Sequence, residues 1–165
     1  MITYVALDTP IGRLLMAKTG RGVCKISLPS EHDSSFFHWL KDRFPEEEIV
    51  EDSDSLSNEI HQLQQYFDGK QSEFTFSLDL RTTPFRNKAL QKVAKIPFGK
   101  TASYKDIAVQ INNEKAVRAV GSANGSNPIP IVIPCHRVIA HDGSLGGYGG
   151  GLPMKKWLLK HEGCL

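Results

Sequence analysis

The 165-residue sequence predicts an α+β fold in two parts. A small N-terminal domain of sheet plus helices is expected over residues 1–80. A mainly helical C-terminal domain with a helix-turn-helix is expected over residues 81–165. Three observations predict this. Strand-like apolar runs open the first half, whereas helical periodicity dominates the second. Arg81-Thr82-Thr83 followed by Pro84 reads as a break and then a helix start. The charge divides at the same place: residues 1–80 carry 7 basic and 14 acidic side chains, a balance of −7, and residues 81–165 carry 13 and 4, a balance of +9. The net +2 of the whole chain conceals that asymmetry, which points to a polyanionic partner for the second half.

In the first half, Ile2 to Asp8, Arg13 to Lys18 and Val23 to Leu28 read as strands. The turns Pro10-Ile11-Gly12 and Gly20-Arg21-Gly22 separate them. A helix is expected from about Ser34 to Phe44, with Phe36, Phe37, Leu40 and Phe44 on one side. Residues 46–54 read as an acidic, exposed connection. A second helix spans about Ser55 to Phe67, and Phe74, Phe76, Leu78 and Leu80 alternate as a strand would.

In the second half, Thr83 caps a helix whose buried stripe is Phe85, Ala89, Val93 and Ile96. Ser103 followed three residues later by Asp106 fits a capping box and starts a short helix to about Ile111. Asn112-Asn113 breaks it, and Glu114 to Asn124 forms another, closed by Gly125. Two short helices around a tight turn in a basic segment read as a helix-turn-helix. Ala116, Ala119, Gly121, Ser122 and Ala123 make the second helix small-sided, which suits either tight helix packing or close approach to a partner.

Composition excludes several classes. The chain is 40% hydrophobic, ample for a core. No apolar run reaches the roughly 18 residues of a membrane span, and the N-terminus lacks the pattern of a signal peptide. Cys24, Cys135 and Cys164 form neither a disulfide framework nor a zinc ribbon, so a reducing, cytoplasmic setting is expected.

Chemistry concentrates at residues 127–136, Asn-Pro-Ile-Pro-Ile-Val-Ile-Pro-Cys-His. The three prolines suggest a stiff, extended, buried segment ending at Cys135. A cysteine with a histidine beside it is a candidate nucleophile, provided something accepts the thiol proton. His136 could do so directly or through water, oriented by a carboxylate. Of the four carboxylates in this half, Asp106 caps a helix, Glu114 starts one and Asp142-Gly143 reads as a hairpin turn, which leaves Glu162. Cys135 as a buried core cysteine is the competing reading. Downstream, Gly146-Gly147-Tyr148-Gly149-Gly150-Gly151 packs five glycines around one tyrosine without a phosphate-loop ending. It suits a backbone that passes close to a flat ligand. Pro153 then starts a last helix through Lys160, with Trp157 and Leu158 inward.

Ile133-Pro134-Cys135-His136-Arg137-Val138 resembles the signature of the O6-alkylguanine-DNA alkyltransferases. The likeness runs across residues 84–163, through Phe98-Gly99, Ser103-Tyr104, Ala116 to Gly121, Asn127-Pro128, Gly149 to Leu152 and Trp157 to Gly163. It implies repair of double-stranded DNA by irreversible transfer of an alkyl group from O6-alkylguanine, and from O4-alkylthymine, to the protein's own cysteine. Carried over by position, Cys135 is the acceptor, and His136 and Glu162 activate it through a water. Tyr104 pushes the target phosphate and helps protonate the departing guanine. Arg118 fills the gap left by the flipped base, Asn127 braces the turn under the site, and Val138, Tyr148, Gly149 and Lys155 line the base pocket. Lys105, Ala119, Gly121 and Ser122 join Arg118 on the DNA side, in the minor groove. Gly149 stands where many members carry a side chain. The resemblance further implies a monomer that needs no cofactor. Some members hold a structural zinc, but Cys24 is the only cysteine of the first half, so no metal is expected. A Cys-His hydrolase with a basic face and a DNA-binding module with an inert cysteine are the alternative functions.

Overall fold

The structure is a computed structural model that describes residues 1–165. It separates into two compact units, Met1–Leu80 and Arg81–Leu165.

The first unit is built on a four-stranded sheet, ordered β3-β2-β1-β4. β1 (Ile2–Thr9), β2 (Gly12–Thr19) and β3 (Gly22–Ser27) form an antiparallel meander. Gly22 has φ +148, and a Cβ there would lie 2.4 Å from the Ser77 carbonyl oxygen, so the turn into β3 requires glycine. α1 (Asp33–Arg43) buries Phe36 and Leu40 against Ile2, Leu15, Ala17 and Cys24. α2 (Ser57–Phe67) buries Leu63, Tyr66 and Phe67.

Two expectations fail in this unit. The acidic 46–54 segment is not only a connection: β4 (Ile49–Glu51) pairs parallel to β1, with Ile2 opposite Ile49. Charged flanks are normal on an edge strand, so composition alone hides the pairing. Residues 74–80 do not form a strand. Their ladder is limited to the backbone around Val23, whose N–H donates to Ser77 at 3.0 Å and whose carbonyl accepts from Asp79 at 2.8 Å. Phe74 instead packs on Tyr66, ring centroids 5.5 Å apart. An alternating aromatic pattern was satisfied by ring packing.

The second unit begins with α3 (Pro84–Val93), capped by the Thr83 hydroxyl, which accepts from the Arg86 N–H. α4 (Tyr104–Gln110) starts on a complete capping box: the Ser103 hydroxyl accepts from the Asp106 N–H at 2.9 Å, and the Asp106 carboxylate accepts from the Ser103 N–H at 2.8 Å. Asn112 turns the chain at φ 59, and α5 (Val117–Gly125) follows. α5 starts later than Glu114 because residues 113–116 close a turn first, the Ala116 N–H donating to the Asn113 carbonyl. The core joins Ala89, Leu90 and Val93 of α3, Ile107 and Ala108 of α4, and Val120 and Ala123 of α5.

A short parallel pair, β5 (Ala102–Ser103) with β6 (Val138–Ile139), was not foreseen. It displaces the expected hairpin at Asp142-Gly143, which is a turn only: the Ala140 N–H donates to Ser144, and Asp142 accepts from the Ser144 N–H and hydroxyl. α6 (Leu152–His161) ends the unit. Its Trp157 is half-buried and stacks on His161, centroids 5.0 Å apart, so it does not point fully inward. No helix is long and apolar enough to cross a membrane.

Candidate active site

The proline segment corrects the expectation of an extended rod. It is buried, but it folds back on itself: Ile131 has φ +75, Pro130 bridges to Ile133, and the Ile133 N–H donates to the Ile129 carbonyl at 2.9 Å. Prolines fix φ at their own positions, yet they leave Ile131 free to reverse the chain. Asn127 holds the knot from inside. Its amide donates to the Ile133 carbonyl at 2.8 Å and its side-chain oxygen accepts from the Ile129 N–H at 3.0 Å. The chain leaves the knot in a 3-10 turn, Cys135–Arg137. Asn124, from α5, donates to the Cys135 carbonyl at 3.1 Å. The cysteine is thus fixed from two sides.

Cys135 is buried, with 5% of its surface exposed. Burial pushes its thiol pKa up, while the Asn127 amide, the Lys155 ammonium and local backbone N–H groups pull it down. At neutral pH the resting group is a thiol that needs a base. His136 is fully buried beside it in sequence. Its Nε2 lies 2.7 Å from Oε2 of Glu162, which is itself buried at the C-terminal end of α6. A carboxylate can only accept, so Nε2 carries the proton and Nδ1 is left as an acceptor. Nδ1 has no hydrogen-bond partner within the protein. Burial lowers the imidazole pKa, Glu162 raises it, and Arg137 and Lys155 push it down again. The site rests as thiol plus neutral imidazole.

Tyr104 opens α4, and the β5-β6 pair sets that helix start alongside the chain leaving Cys135. Burial raises the phenol pKa, and a charge on Cys135 raises it further. The glycine segment passes against this ring: a Cβ on Gly146, at φ +72, would lie 3.0 Å from the Tyr104 hydroxyl. Tyr148 is half-buried and Gly149 exposed. Val138 is fully buried, and its carbonyl accepts from the Lys155 ammonium at 2.7 Å. The same ammonium donates to Leu145 at 2.5 Å and Gly147 at 3.2 Å. Lys155 therefore fastens the glycine segment to β6, with its charge turned onto main-chain carbonyls. On α5, Val120 and Ala123 face the core, whereas Arg118, Ala119 and Ser122 are exposed and Gly121 is half-exposed; Lys105 on α4 is exposed. The small-sided helix divides its small residues between packing and an open face.

Sequence reasoning gave no separate role to Arg137, Asn124 or Gly146. Arg137 is buried and so needs a carboxylate partner, but its residue type alone does not say which way it points. Its Nε donates to Glu162 Oε1 at 2.7 Å, one terminal nitrogen to Oε2 at 3.1 Å and the other to the Ile96 carbonyl at 2.6 Å.

Comparison with known proteins settles the family. Residues 84–164 match the model of the 6-O-methylguanine DNA methyltransferase DNA binding domain. Residues 2–80 match that of its ribonuclease-like domain. The chain belongs to the O6-alkylguanine-DNA alkyltransferases. A methylated-DNA–protein-cysteine methyltransferase of Mycobacterium tuberculosis is 42% identical over 163 residues, covering 98% of this chain and 93% of the relative. An inducible enzyme of that name from Bacillus subtilis is 42% identical over 147 residues, 89% and 82% of the two chains. Among solved structures, the M. tuberculosis O6-methylguanine methyltransferase superposes with a TM-score of 0.85 at 40% identity, covering 98% of this chain and 93% of that one. An M. tuberculosis structure in complex with DNA gives 0.85 at 39%, covering 97% and 92%. This alkyltransferase is accordingly an α+β DNA-repair enzyme, a methylated-DNA–protein-cysteine S-methyltransferase, with DNA as its partner.

Proposed function

We propose that the enzyme flips O6-alkylguanine, and O4-alkylthymine, out of duplex DNA and transfers the alkyl group to Cys135, one group per molecule. The observation that carries this reading is the buried His136–Glu162 pair, Nε2 to Oε2 2.7 Å, next in sequence to the buried Cys135. His136 Nδ1 takes the Cys135 proton through a water, and Glu162 steadies the imidazolium that forms. The sulfur attacks the alkyl carbon, the carbon–O6 bond breaks, and its electron pair passes to the purine. The purine is protonated with help from Tyr104. Thiol plus O6-alkylguanine thus becomes thioether plus guanine, and a thioether has no easy hydrolytic return.

A base inside the stack cannot reach a buried sulfur, so it must leave the helix at a cost of about a few kcal/mol. The exposed face of α5 enters the minor groove, where Ala119, Gly121 and Ser122 permit close approach and Arg118 replaces the flipped base. Lys105 meets a phosphate, and Tyr104 presses the target nucleotide's phosphate outward. Asn127 braces the knot under the cysteine, while Val138, Tyr148, Gly149 and Lys155 bound the base pocket, Lys155 through the carbonyls that it holds. The protein acts as a cytoplasmic monomer, without cofactor, on lesions in double-stranded DNA. Residues 1–80 form a structural domain and residues 81–165 carry acceptor and DNA contacts.

Intact mass spectrometry after incubation with a duplex bearing O6-methylguanine tests this. One added methyl on the Cys135 peptide, and never a second, is the expected result. Multiple turnover would favour a Cys-His hydrolase, and binding without mass change a DNA-binding module. Arg118→Ala is expected to slow repair of a duplex lesion by about 10- to 100-fold, the share of the flipping cost that the side chain offsets. Reaction with free O6-methylguanine should be unchanged. Equal loss on both substrates would contradict the base-replacement role.

A further inference from the structure

The proposed chemistry leaves Arg137, a side chain with three hydrogen bonds in the site, without a role. Arg137 is buried, with 6% of its surface exposed. Its guanidinium spans both oxygens of Glu162 and fixes its remaining terminal nitrogen on the Ile96 carbonyl, just beyond α3. Glu162 Oε2 is therefore shared between Arg137 at 3.1 Å and His136 Nε2 at 2.7 Å. We propose that Arg137 is a positioning residue for alkyl transfer: it holds both oxygens of Glu162 so that the carboxylate orients His136 as a base instead of drawing a permanent proton onto it. The inference rests on the reading of His136 as the base for Cys135.

The argument is one of charge balance in a buried space. A lone carboxylate against a buried imidazole favours the imidazolium, which cannot accept another proton. A bidentate arginine already neutralises the carboxylate, so the Glu162–Arg137 pair carries no net charge and the imidazole can remain neutral. The charged groups facing the His136 imidazole are Glu162 and Lys155 of the α6 segment and Arg137 of the 3-10 turn, while Tyr104 of α4 is coupled to Cys135. Of these only Glu162 raises the imidazole pKa, and Arg137 stands directly on Glu162. The Ile96 contact fixes the direction of the guanidinium plane, and hence which oxygen remains for His136. A lysine could supply the charge but not the fork.

The test is the pH dependence of single-turnover transfer from an O6-methylguanine duplex, at saturating DNA, for the full-length protein and three variants. Removing Arg137 lets Glu162 act undiluted, so the His136 pKa rises and the acid limb of the profile moves to higher pH. Arg137→Gln is expected to be about tenfold slower on that limb and within about threefold of the parent on the alkaline plateau, as for a close charge removed from a titrating group. Arg137→Lys is expected to move the limb in the same direction by less. It carries the test if the Gln variant does not fold. Limbs that stay in place, with rates merely scaled at every pH, would overturn the inference. His136→Gln separates the two levels: it should abolish the limb. If that variant keeps the parent's limb, the reading of His136 as the base fails whatever the arginine variants do.

Discussion

Cys135→Ala is expected to abolish alkyl transfer and to leave duplex binding intact. The loss is complete because neither other cysteine can stand in. Cys24 is fully buried in the core of the first unit, its thiol 3.6 Å from the Ala17 carbonyl. Cys164 is half-buried beyond α6, and burial, together with the Glu162 charge, pushes its pKa up. Binding persists because phosphate contacts, not the thiol, supply most of the affinity, so the salt dependence should match the parent's. The stability cost is small, since alanine removes a single sulfur from a well-braced turn. Intact mass and binding titrations at two salt concentrations check both halves. Residual transfer would move the acceptor role to another cysteine, and loss of binding would mean that the turn itself had collapsed. Alkylation has the opposite steric sign: a methyl forced onto a group only 5% exposed overpacks the site by about 1–3 kcal/mol, so the repaired protein should melt below the unreacted one.

What the sequence disclosed follows the range of the interactions involved. The Thr83-Pro84 cap and the Ser103–Asp106 box act within three or four residues, and both appear where the residue types place them. Glu162 could be singled out because the basic half has so few carboxylates, and it lies 2.7 Å from the imidazole. Features set by distant partners were not legible. β4 exists only because β1 offers a free edge. Ile131 reverses the proline segment because Asn127 and the Ile129 carbonyl take up the hydrogen bonds of the reversal. Arg137 reads in sequence as one more cation of a basic half, and only the fold shows it turned inward to Glu162 and Ile96. A long basic side chain has no local signature for which way it points.

Lys155 is the same lesson with a larger energetic consequence, and Lys155→Met is expected to destabilise the second unit and disable transfer together. Its side chain is fully buried and serves the carbonyls of Val138, Leu145 and Gly147. Methionine fills similar volume but donates nothing, so three carbonyls lose a charged donor at about 1 kcal/mol or more each, roughly 3 kcal/mol in sum at neutral pH. The glycine segment would then no longer be held against Tyr104, where even a Cβ on Gly146 would crowd the hydroxyl, and transfer should fall by about tenfold or more as the pocket loses its wall. The pH dependence gives an independent signature. Burial lowers the ammonium pKa from 10.5 to about 8. Between those two values the unfolded chain holds a proton that the folded chain has released, so Lys155 makes stability rise with pH across that window. Cys135 works the other way: its raised thiol keeps its proton when the unfolded thiol has lost it, so its contribution falls above the ordinary thiol range. The two oppose each other in the parent protein. Lys155→Met removes the rising part and, by taking away the ammonium that pulls the thiol down, leaves the falling part at least as large, so the stability gap between parent and variant should widen from pH 8 toward 10.5, measured by urea titration at each pH. A gap that stays constant across that range would mean that the amine is solvated, and that the glycine segment is held by something else.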